Sequence, residues 1–143
     1  MTTQPDLADA TRALARAYRY LERSLDELSM ADYRMLSALV EGEERASRLA
    51  SRLALGKPAV SATVDSLVKR GLVLRSKVDG DNRAVALALT PLGTELFERT
   101  EAALTARLAE LLARTSDPEG TRTCLVDLGP AFDSIMVERM ATR

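Results

Sequence analysis

Basic side chains are mixed with small polar ones between residues 57 and 94 of this chain. Ammonium and guanidinium groups pair with phosphate oxygens, and small or hydroxyl-bearing side chains let a helix backbone come close to base edges. Contact with double-stranded DNA is therefore the chemistry that this stretch predicts. The residues of these types that would make it are Lys57, Ser61, Ala62, Thr63, Ser66, Lys69, Arg70, Arg75, Lys77 and Arg83.

A short amphipathic helix and a β-hairpin are the elements that would position these side chains. The helix is predicted over residues 57–70, with Pro58 in its first turn and Gly71 after its end. Two β-rich segments, 72–77 and 84–89, flank the turn-forming residues 79–82. Such a helix fits the major groove, while the hairpin tip reaches the backbone or the minor groove beside it. The predicted buried stripe of the helix is Val60, Val64, Leu67 and Val68.

The net charge of the chain, −1, hides a strong division. Residues 45–83 contain nine basic and three acidic residues, a net charge of +6, and the rest of the chain carries −7. A basic segment that coincides with the helix and the hairpin is the footprint that phosphate binding requires. A solvated surface without a ligand is the alternative interpretation of the same charges.

Helices account for most of the remaining chain, which has 46% hydrophobic and only 3% aromatic residues. Apolar spacing predicts a first helix over 6–27, a second from a Ser29–Asp32 capping box to about Val40, and a third over 44–55. A long helix over 91–114, capped by Thr90, precedes a last helix that begins at a Ser116–Glu119 capping box and is interrupted at Gly129–Pro130. The predicted fold class is mainly α with a small β-hairpin wing: a single domain with a winged helix-turn-helix over residues 29–90.

The terminal helices, over residues 5–27 and 91–141, exceed what a winged helix needs. Each has more apolar surface than so small a domain could cover alone. The same helices of a second copy could bury that surface, so the chain is predicted to form a homodimer with two-fold symmetry.

Several functions lack the residues that they require. The chain has no histidine, the commonest general base and metal ligand, and we predict neither an enzyme nor a metal or other cofactor. The polar N-terminus does not resemble a signal peptide, and no apolar run approaches the roughly 20 residues of a membrane span. A single cysteine excludes an internal disulfide. A cytoplasmic protein without membrane contact is the expectation.

The pattern resembles the MarR family of bacterial transcription regulators over nearly the whole chain. The most specific residues are Gly71-Leu72-Val73 followed by Arg75, Asp81-Asn82-Arg83, and Leu89-Thr90 with Gly93. The resemblance implies a triangular dimer whose two winged-helix lobes sit on consecutive major grooves of a pseudo-palindromic site. It also implies a repressor, or less often an activator, that releases DNA when a small aromatic or anionic effector binds.

Residue roles follow from that resemblance by position. Arg83 would be the wing-tip arginine in the minor groove, and Asp81 the acid that orients it; Arg75 and Lys77 would contact phosphates. Many relatives carry arginine at one or both of the places held here by Ala62 and Ser66, which favours a weaker sequence preference or readout through shape and hydroxyls. The recognition helix would make its base or phosphate contacts through Ser61, Ala62, Asp65 and Ser66.

A pocket for an effector would lie between the first, second and long helices. The same residues serve equally well in packing between the lobe and the dimer helices. Cys124 has two interpretations, an oxidation sensor or a structural cysteine in a helix interface. Arg122 is at the wrong spacing to share its helix face and activate the thiol. The predicted lining residues of the pocket are Tyr18, Tyr20, Tyr33, Met35 and Phe97.

Two other classes of function stay open. A winged helix can bind protein instead of DNA, but its recognition face would then need exposed apolar residues, where this chain has serine, threonine, lysine and arginine. An enzyme would need a paired catalytic constellation, which 21 scattered acidic residues do not supply. The placement of charge favours a DNA-binding regulator.

Overall fold

The protein is described by a computed structural model that covers residue 4, residues 6–53 and residues 56–142. Six helices and three strands lie within this part of the chain, which confirms the predicted fold class. The helices are α1 (Leu7–Glu22), α2 (Met30–Leu39), α3 (Ala46–Arg52), α4 (Lys57–Lys69), α5 (Pro91–Leu112) and α6 (Pro118–Ala141), and the strands are β1 (Glu44–Arg45), β2 (Val73–Val78) and β3 (Asp81–Leu89). Residue 5 and Leu55, at the limits of two predicted helices, lie outside the described residues.

Side-chain caps fix the starts of two helices where the sequence predicted them. At α2, Ser29 Oγ accepts a hydrogen bond from the Asp32 N–H at 3.0 Å, and Asp32 Oδ2 accepts one from the Ser29 N–H at 3.0 Å. At α5, Thr90 Oγ1 accepts a hydrogen bond from the Gly93 N–H at 3.0 Å. These bonds satisfy backbone donors that a helix leaves unpaired at its first turn.

The last helix differs from its prediction at its start and in its middle. Asp117, rather than Ser116, is the N-cap, and its Oδ1 accepts a hydrogen bond from the Gly120 N–H at 3.0 Å. The helix also continues through Pro130, where the sequence predicted an interruption. Gly129 relieves one of the clashes that a proline causes inside a helix, because a glycine before proline has no Cβ to meet the proline ring in the helical conformation.

The first helix is shorter than predicted, since α1 ends at Glu22 rather than near residue 27. Beyond it, Ser24 Oγ donates a hydrogen bond to the Leu21 carbonyl at 2.6 Å and Leu28 is buried in the core. The chain therefore turns between α1 and α2 to bury Leu28, a tertiary effect that helical spacing does not report. Among the described residues, no helix is long and apolar enough to cross a membrane.

The core lies between α2, α3, α4, the sheet and the start of α5. Val60, Val64 and Leu67 of α4 are at most 4% exposed, and Val68 is half-buried, which confirms the predicted stripe. Each fully buried side chain of this size contributes about 1.5–3 kcal/mol. The stripe thus fixes which face of α4 points to solvent. The fully buried residues that surround it include Met35, Leu36, Leu39, Leu49 and Leu87.

The sheet contains one strand more than the predicted hairpin. Its order is β1-β3-β2, and β1 places Glu44 and Arg45 opposite Leu87 and Ala86. The sequence predicted a helix from Glu44, whereas α3 begins at Ala46. A two-residue strand depends on pairing with a distant segment, so local propensity gives no sign of it.

The wing has a tighter turn than predicted and an irregular ladder. Gly80 has a φ of +80°, and β3 already begins at Asp81. Lys77 lies opposite Val85 and Val78 opposite Asp81, so residues 82–84 are extra on β3. Such a bulge re-aims the side chains that it carries, and one of these is Arg83.

Helix α4, the wing and α5 meet at the turn after α4. Gly71 has a φ of +74°, and the Leu72 N–H donates a hydrogen bond to the Leu67 carbonyl at 2.9 Å, which is a Schellman ending. Thr90 returns to the same turn, where its Oγ1 donates to the Gly71 carbonyl at 2.7 Å and its N–H to the Leu72 carbonyl at 3.0 Å. A Cβ at Gly93 would lie 2.1 Å from the Leu72 carbonyl oxygen, so only glycine fits there.

Gly93→Ala is expected to lower the free energy of unfolding by about 3 kcal/mol, because a new methyl group would collide with buried backbone that cannot move alone. Gly71→Ala is the matched comparison: its Cβ would meet no heavy atom within 4 Å, and only the positive φ is strained, at a cost of about 1 kcal/mol. Urea denaturation measures both values. Equal losses in the two variants would contradict the close approach of α5 to the turn.

Candidate nucleic-acid interface

The outward face of α4 carries small side chains, as predicted. Ser61, Ala62 and Ser66 are exposed and Thr63 is half-buried, on the side away from the core stripe. Lys57 in the first turn and Lys69 in the last turn are exposed as well. Short side chains let the helix backbone approach a groove floor, and hydroxyls can donate to or accept from base edges.

Arg83 is exposed on the bulge of the wing, and Asp81 shapes that bulge. Asp81 Oδ1 accepts hydrogen bonds from the N–H groups of Arg83 at 3.0 Å and Ala84 at 3.3 Å. The sequence interpretation had the carboxylate orient the arginine side chain. In the structure it holds the backbone that carries Arg83, and this contact positions the Cα rather than the guanidinium.

An ion pair joins α4 to the wing. The Arg75 guanidinium of β2 bonds the Asp65 carboxylate of α4, so two of the predicted site residues contact each other. Both side chains are well exposed, and such surface pairs contribute only about 0–1 kcal/mol to stability. The pair sets a cation beside the outward face of α4, where a phosphate can share it.

A groove between the start of α3 and the wing brings in one basic residue, Arg45, that was not predicted as a contact. It has a volume of about 320 Å³. Arg45 enters it because β1 pairs beside Ala86, a register that sequence periodicity could not reveal. Arg45 counts toward the basic block of residues 45–83, which was the one sequence signal for it. The groove is lined by Arg45, Ala46, Ser47, Asp81, Arg83, Ala84 and Val85.

Arg70 stands apart from the other predicted DNA contacts. Its Nη1 lies 3.2 Å from Asp32 Oδ2, and its Nη2 donates a hydrogen bond to the Glu27 carbonyl at 2.7 Å. The guanidinium is therefore turned toward the start of α2 and not along the outward face of α4. Asp32 precedes Arg70 by 38 residues, so no local pattern indicates this pair.

The five predicted effector-pocket residues do not share one cavity. Met35 is fully buried and Phe97 is 3% exposed, both in the core. Tyr20 lies on the contact between α1 and α5, where its hydroxyl donates to Glu110 Oε2 at 3.0 Å and its ring lies under Arg107, 4.7 Å from the guanidinium carbon. Tyr18 is 47% exposed. The packing interpretation fits these four residues.

Tyr33 has a different environment. Its ring stacks on Phe97 with centroids 5.5 Å apart, and its hydroxyl donates to Glu101 Oε1 at 3.1 Å. Burial, and then the neighbouring Glu101 carboxylate, raise the pKa of Tyr33 to about 12. It also borders an open groove of about 250 Å³ between α2, α3 and α6, lined by Tyr33, Arg34, Ser37, Ala38, Arg52, Leu53, Phe132 and Asp133.

Cys124 is exposed on α6. Its place on a solvent-facing helix surface is compatible with a helix interface between copies. Among the described residues, no group of three or more cysteine, aspartate or glutamate side chains is arranged to hold a metal ion.

Sequence comparison identifies a single protein family over the middle of the chain. The sequence model of the MarR family matches residues 26–84, which span α2, the first strand, α3, α4 and most of the wing. No curated protein matches the chain.

Solved structures with the same fold cover almost the entire chain. Wild-type MarR (apo form) from E. coli has a TM-score of 0.76 at 21% identity and covers 88% of this chain and 97% of that one. The transcriptional repressor CouR, bound to a 23-mer DNA duplex, has a TM-score of 0.77 at 23% identity, with 88% and 92% covered. The transcriptional regulator BldR from Sulfolobus solfataricus has a TM-score of 0.72 at 25% identity, with 90% and 97% covered.

Glu101→Gln is expected to lower the pKa of Tyr33 from about 12 toward its ordinary value, since the carboxylate that opposes tyrosinate is removed while burial stays. A folded pKa above the unfolded value of 10.0 means that wild-type stability is complete below pH 10 and declines as the pH rises toward 12. The tyrosinate absorbance of a Tyr18→Phe, Tyr20→Phe background reports the titration.

The control for this titration is Glu98→Gln, which removes an exposed carboxylate from the same helix. It should leave the pKa of Tyr33 unchanged. An identical Tyr33 pKa in the Glu101→Gln and wild-type proteins would contradict the contact between Tyr33 of α2 and Glu101 of α5.

Proposed function

We propose that this chain is a winged-helix transcriptional regulator of the MarR family that binds double-stranded DNA through α4 and the wing. The observation that carries the proposal is that small hydroxyl-bearing residues of α4 and the cations around them are exposed on the same surface. The Asp65–Arg75 ion pair joins α4 to the wing on this surface. Arg45 and Arg83 border the groove next to this face. Phosphate contacts from these cations would fix the register, and α4 would read base edges in the major groove.

Two of the matched structures are of repressors, which supports this assignment. CouR is a repressor described in complex with a DNA duplex, and another is a multiple antibiotic resistance repressor. We extend the repressor role to this chain, on a pseudo-palindromic operator. A regulator that reads DNA would work in the cytoplasm.

The proposed active form is a homodimer built from the terminal helices. No residue of α1 is buried, and Leu7 and Leu14 are 80% and 54% exposed. α6 likewise exposes apolar side chains along its length, and so much exposed apolar surface at both ends of a chain is typical of an interface. Burial against the same helices of a second copy would produce a closed two-fold pair. The exposed large apolar residues of α6 are Val126, Leu128, Phe132, Ile135 and Val137.

A small aromatic or anionic effector that releases DNA completes the proposal. The groove at Tyr33 supports it, because Tyr33, Arg34 and Arg52 line it together. Both cations have protein partners, since Arg34 donates to the Leu53 carbonyl at 2.8 Å and Arg52 pairs with Glu44 at 3.2 Å. An anion would compete for these contacts near α3 and α4.

The protein-interaction alternative fits the surface less well. A helix that docks in a protein groove presents apolar anchors at helical spacing. The apolar residues of α4 face the core, and its exposed face carries small polar and basic side chains. The exposed apolar residues of α1 and α6 instead suit contact with a second copy of the chain.

DNA binding should weaken steeply with salt, because each neutralised phosphate releases counterions. Arg83→Ala should reduce the magnitude of the slope of log K against log salt by about 1. This is the change expected when one cation that contacts a phosphate or lies in the minor groove is removed. Arg122→Ala removes an equally exposed arginine from α6, where it pairs with Glu119, and should leave the slope unchanged. Fluorescence anisotropy with a labelled duplex measures both. Affinity that ignores salt would refute the proposal.

Single charges on the terminal helices should weaken self-association. Leu14→Lys and Ile135→Lys are each expected to raise the dimer dissociation constant at least about tenfold, because a buried lysine would lack a partner. Leu74→Lys is the matched control, since Leu74 is 61% exposed but lies on β2. Sedimentation equilibrium gives the constants. A wild-type monomer, or equal effects at all three positions, would contradict the proposed interface.

A further inference from the structure

Arg70 is the C-cap residue of the recognition helix, yet its side chain binds a different part of the fold. Its guanidinium contacts the Asp32 carboxylate at 3.2 Å through Nη1 and the Glu27 carbonyl at 2.7 Å through Nη2. Asp32 is also the acid of the α2 capping box, where its Oδ2 accepts from the Ser29 N–H. One carboxylate oxygen therefore serves the start of α2 and the end of α4 together.

Glu27 connects this contact to the long helix. Its carbonyl accepts from Arg70, while its side-chain Oε1 lies 3.3 Å from Arg99 Nη2 of α5. Residue 27 belongs to the connection between α1 and α2, so the recognition helix, the first helix and the long helix are joined at one short segment. Both α1 and α5 belong to the arms that the proposed dimer uses.

The low exposure of Asp32 indicates that the Arg70 guanidinium stays at these contacts and does not bind phosphate. The Asp32 side chain is only 14% exposed, against 65% for Asp65 in the pair with Arg75. The Arg70 side chain is 36% exposed, so this pair is partly buried and is screened less by salt than the more exposed pair of Asp65 and Arg75. Arg70 would have to abandon a charged partner and a carbonyl to reach DNA.

We propose that Arg70 is a positioning residue that fixes the angle of the recognition helix relative to the dimer arms, and thereby sets the half-site spacing that the dimer accepts. The inference rests on the proposed function. Two copies of α4 must meet major grooves about one helical turn apart, roughly 34 Å. Tilting each α4 about its C-terminal end would change that separation without removing a single DNA contact.

Spacing preference is the property that tests this role. A panel of duplexes would carry the half-sites that the wild-type protein selects, moved apart or together in steps of one base pair. The readout is the ratio of the dissociation constant on the neighbouring spacings to that on the best one. Arg70→Ala and Asp32→Asn should each reduce this ratio about fivefold, the scale of one net intramolecular hydrogen bond. Asparagine keeps an oxygen for the Ser29 N–H, so the cap of α2 survives.

Three comparisons separate positioning from other roles. The double variant should lose no more spacing preference than either single variant, because both break the same ion pair. The salt slope should stay at the wild-type value in Arg70→Ala, whereas Lys69→Ala should lower it by about 1. Thermal unfolding establishes that each variant is folded at the temperature of the binding assay, and a residue with a merely stabilising role would leave the spacing ratio of folded protein unchanged.

The results that would contradict the inference differ from those that would contradict the proposed function. If Arg70 contacted phosphate, Arg70→Ala would lower the salt slope, and Asp32→Asn would strengthen binding by releasing the arginine; either result overturns the inference. Full spacing preference in both variants also overturns it, while leaving the proposed function intact. A wild-type protein without salt-dependent DNA binding would contradict both the inference and the proposed function.

Discussion

The turn at Gly71–Leu72 is the constraint on which the rest of the arrangement depends. The Schellman ending closes α4 there, β2 leaves from it, and Thr90 and Gly93 bring the start of α5 back onto its carbonyls. The recognition helix, the wing and the long arm thus share one small piece of backbone that leaves no space even for a methyl group at residue 93. Their relative directions are set by covalent geometry and hydrogen bonds rather than by flexible linkers.

Electrostatics acts on this frame in two ways. Around α4 and the wing, exposed cations face solvent or exposed partners, where ion pairs are weak and a phosphate can compete for them. Behind the helix, Arg70 and Asp32 form a pair that is better shielded, which suits a structural joint. Within the winged helix, an arginine would therefore bind DNA where it is exposed and position α4 where it is shielded.

Local signals in the sequence predicted much of the fold. The apolar stripe of α4, Gly71 at its end and the caps at Ser29 and Thr90 are short-range features, and the structure confirms them. Features that depend on distant partners could not be predicted: β1 exists only through pairing with β3, and Arg70 finds Asp32 across 38 residues. The exposed face of α4 followed from the stripe. The role of each residue on it depends on DNA and stays a prediction.

Selection of bound duplexes from random-sequence DNA tests the central claim most directly. Two copies of α4, held by identical turns and related by a two-fold axis, should recover an inverted repeat whose half-site centres lie about 10 bp apart. Recovery of no enriched sequence, or of a single half-site without its inverted partner, would contradict the account.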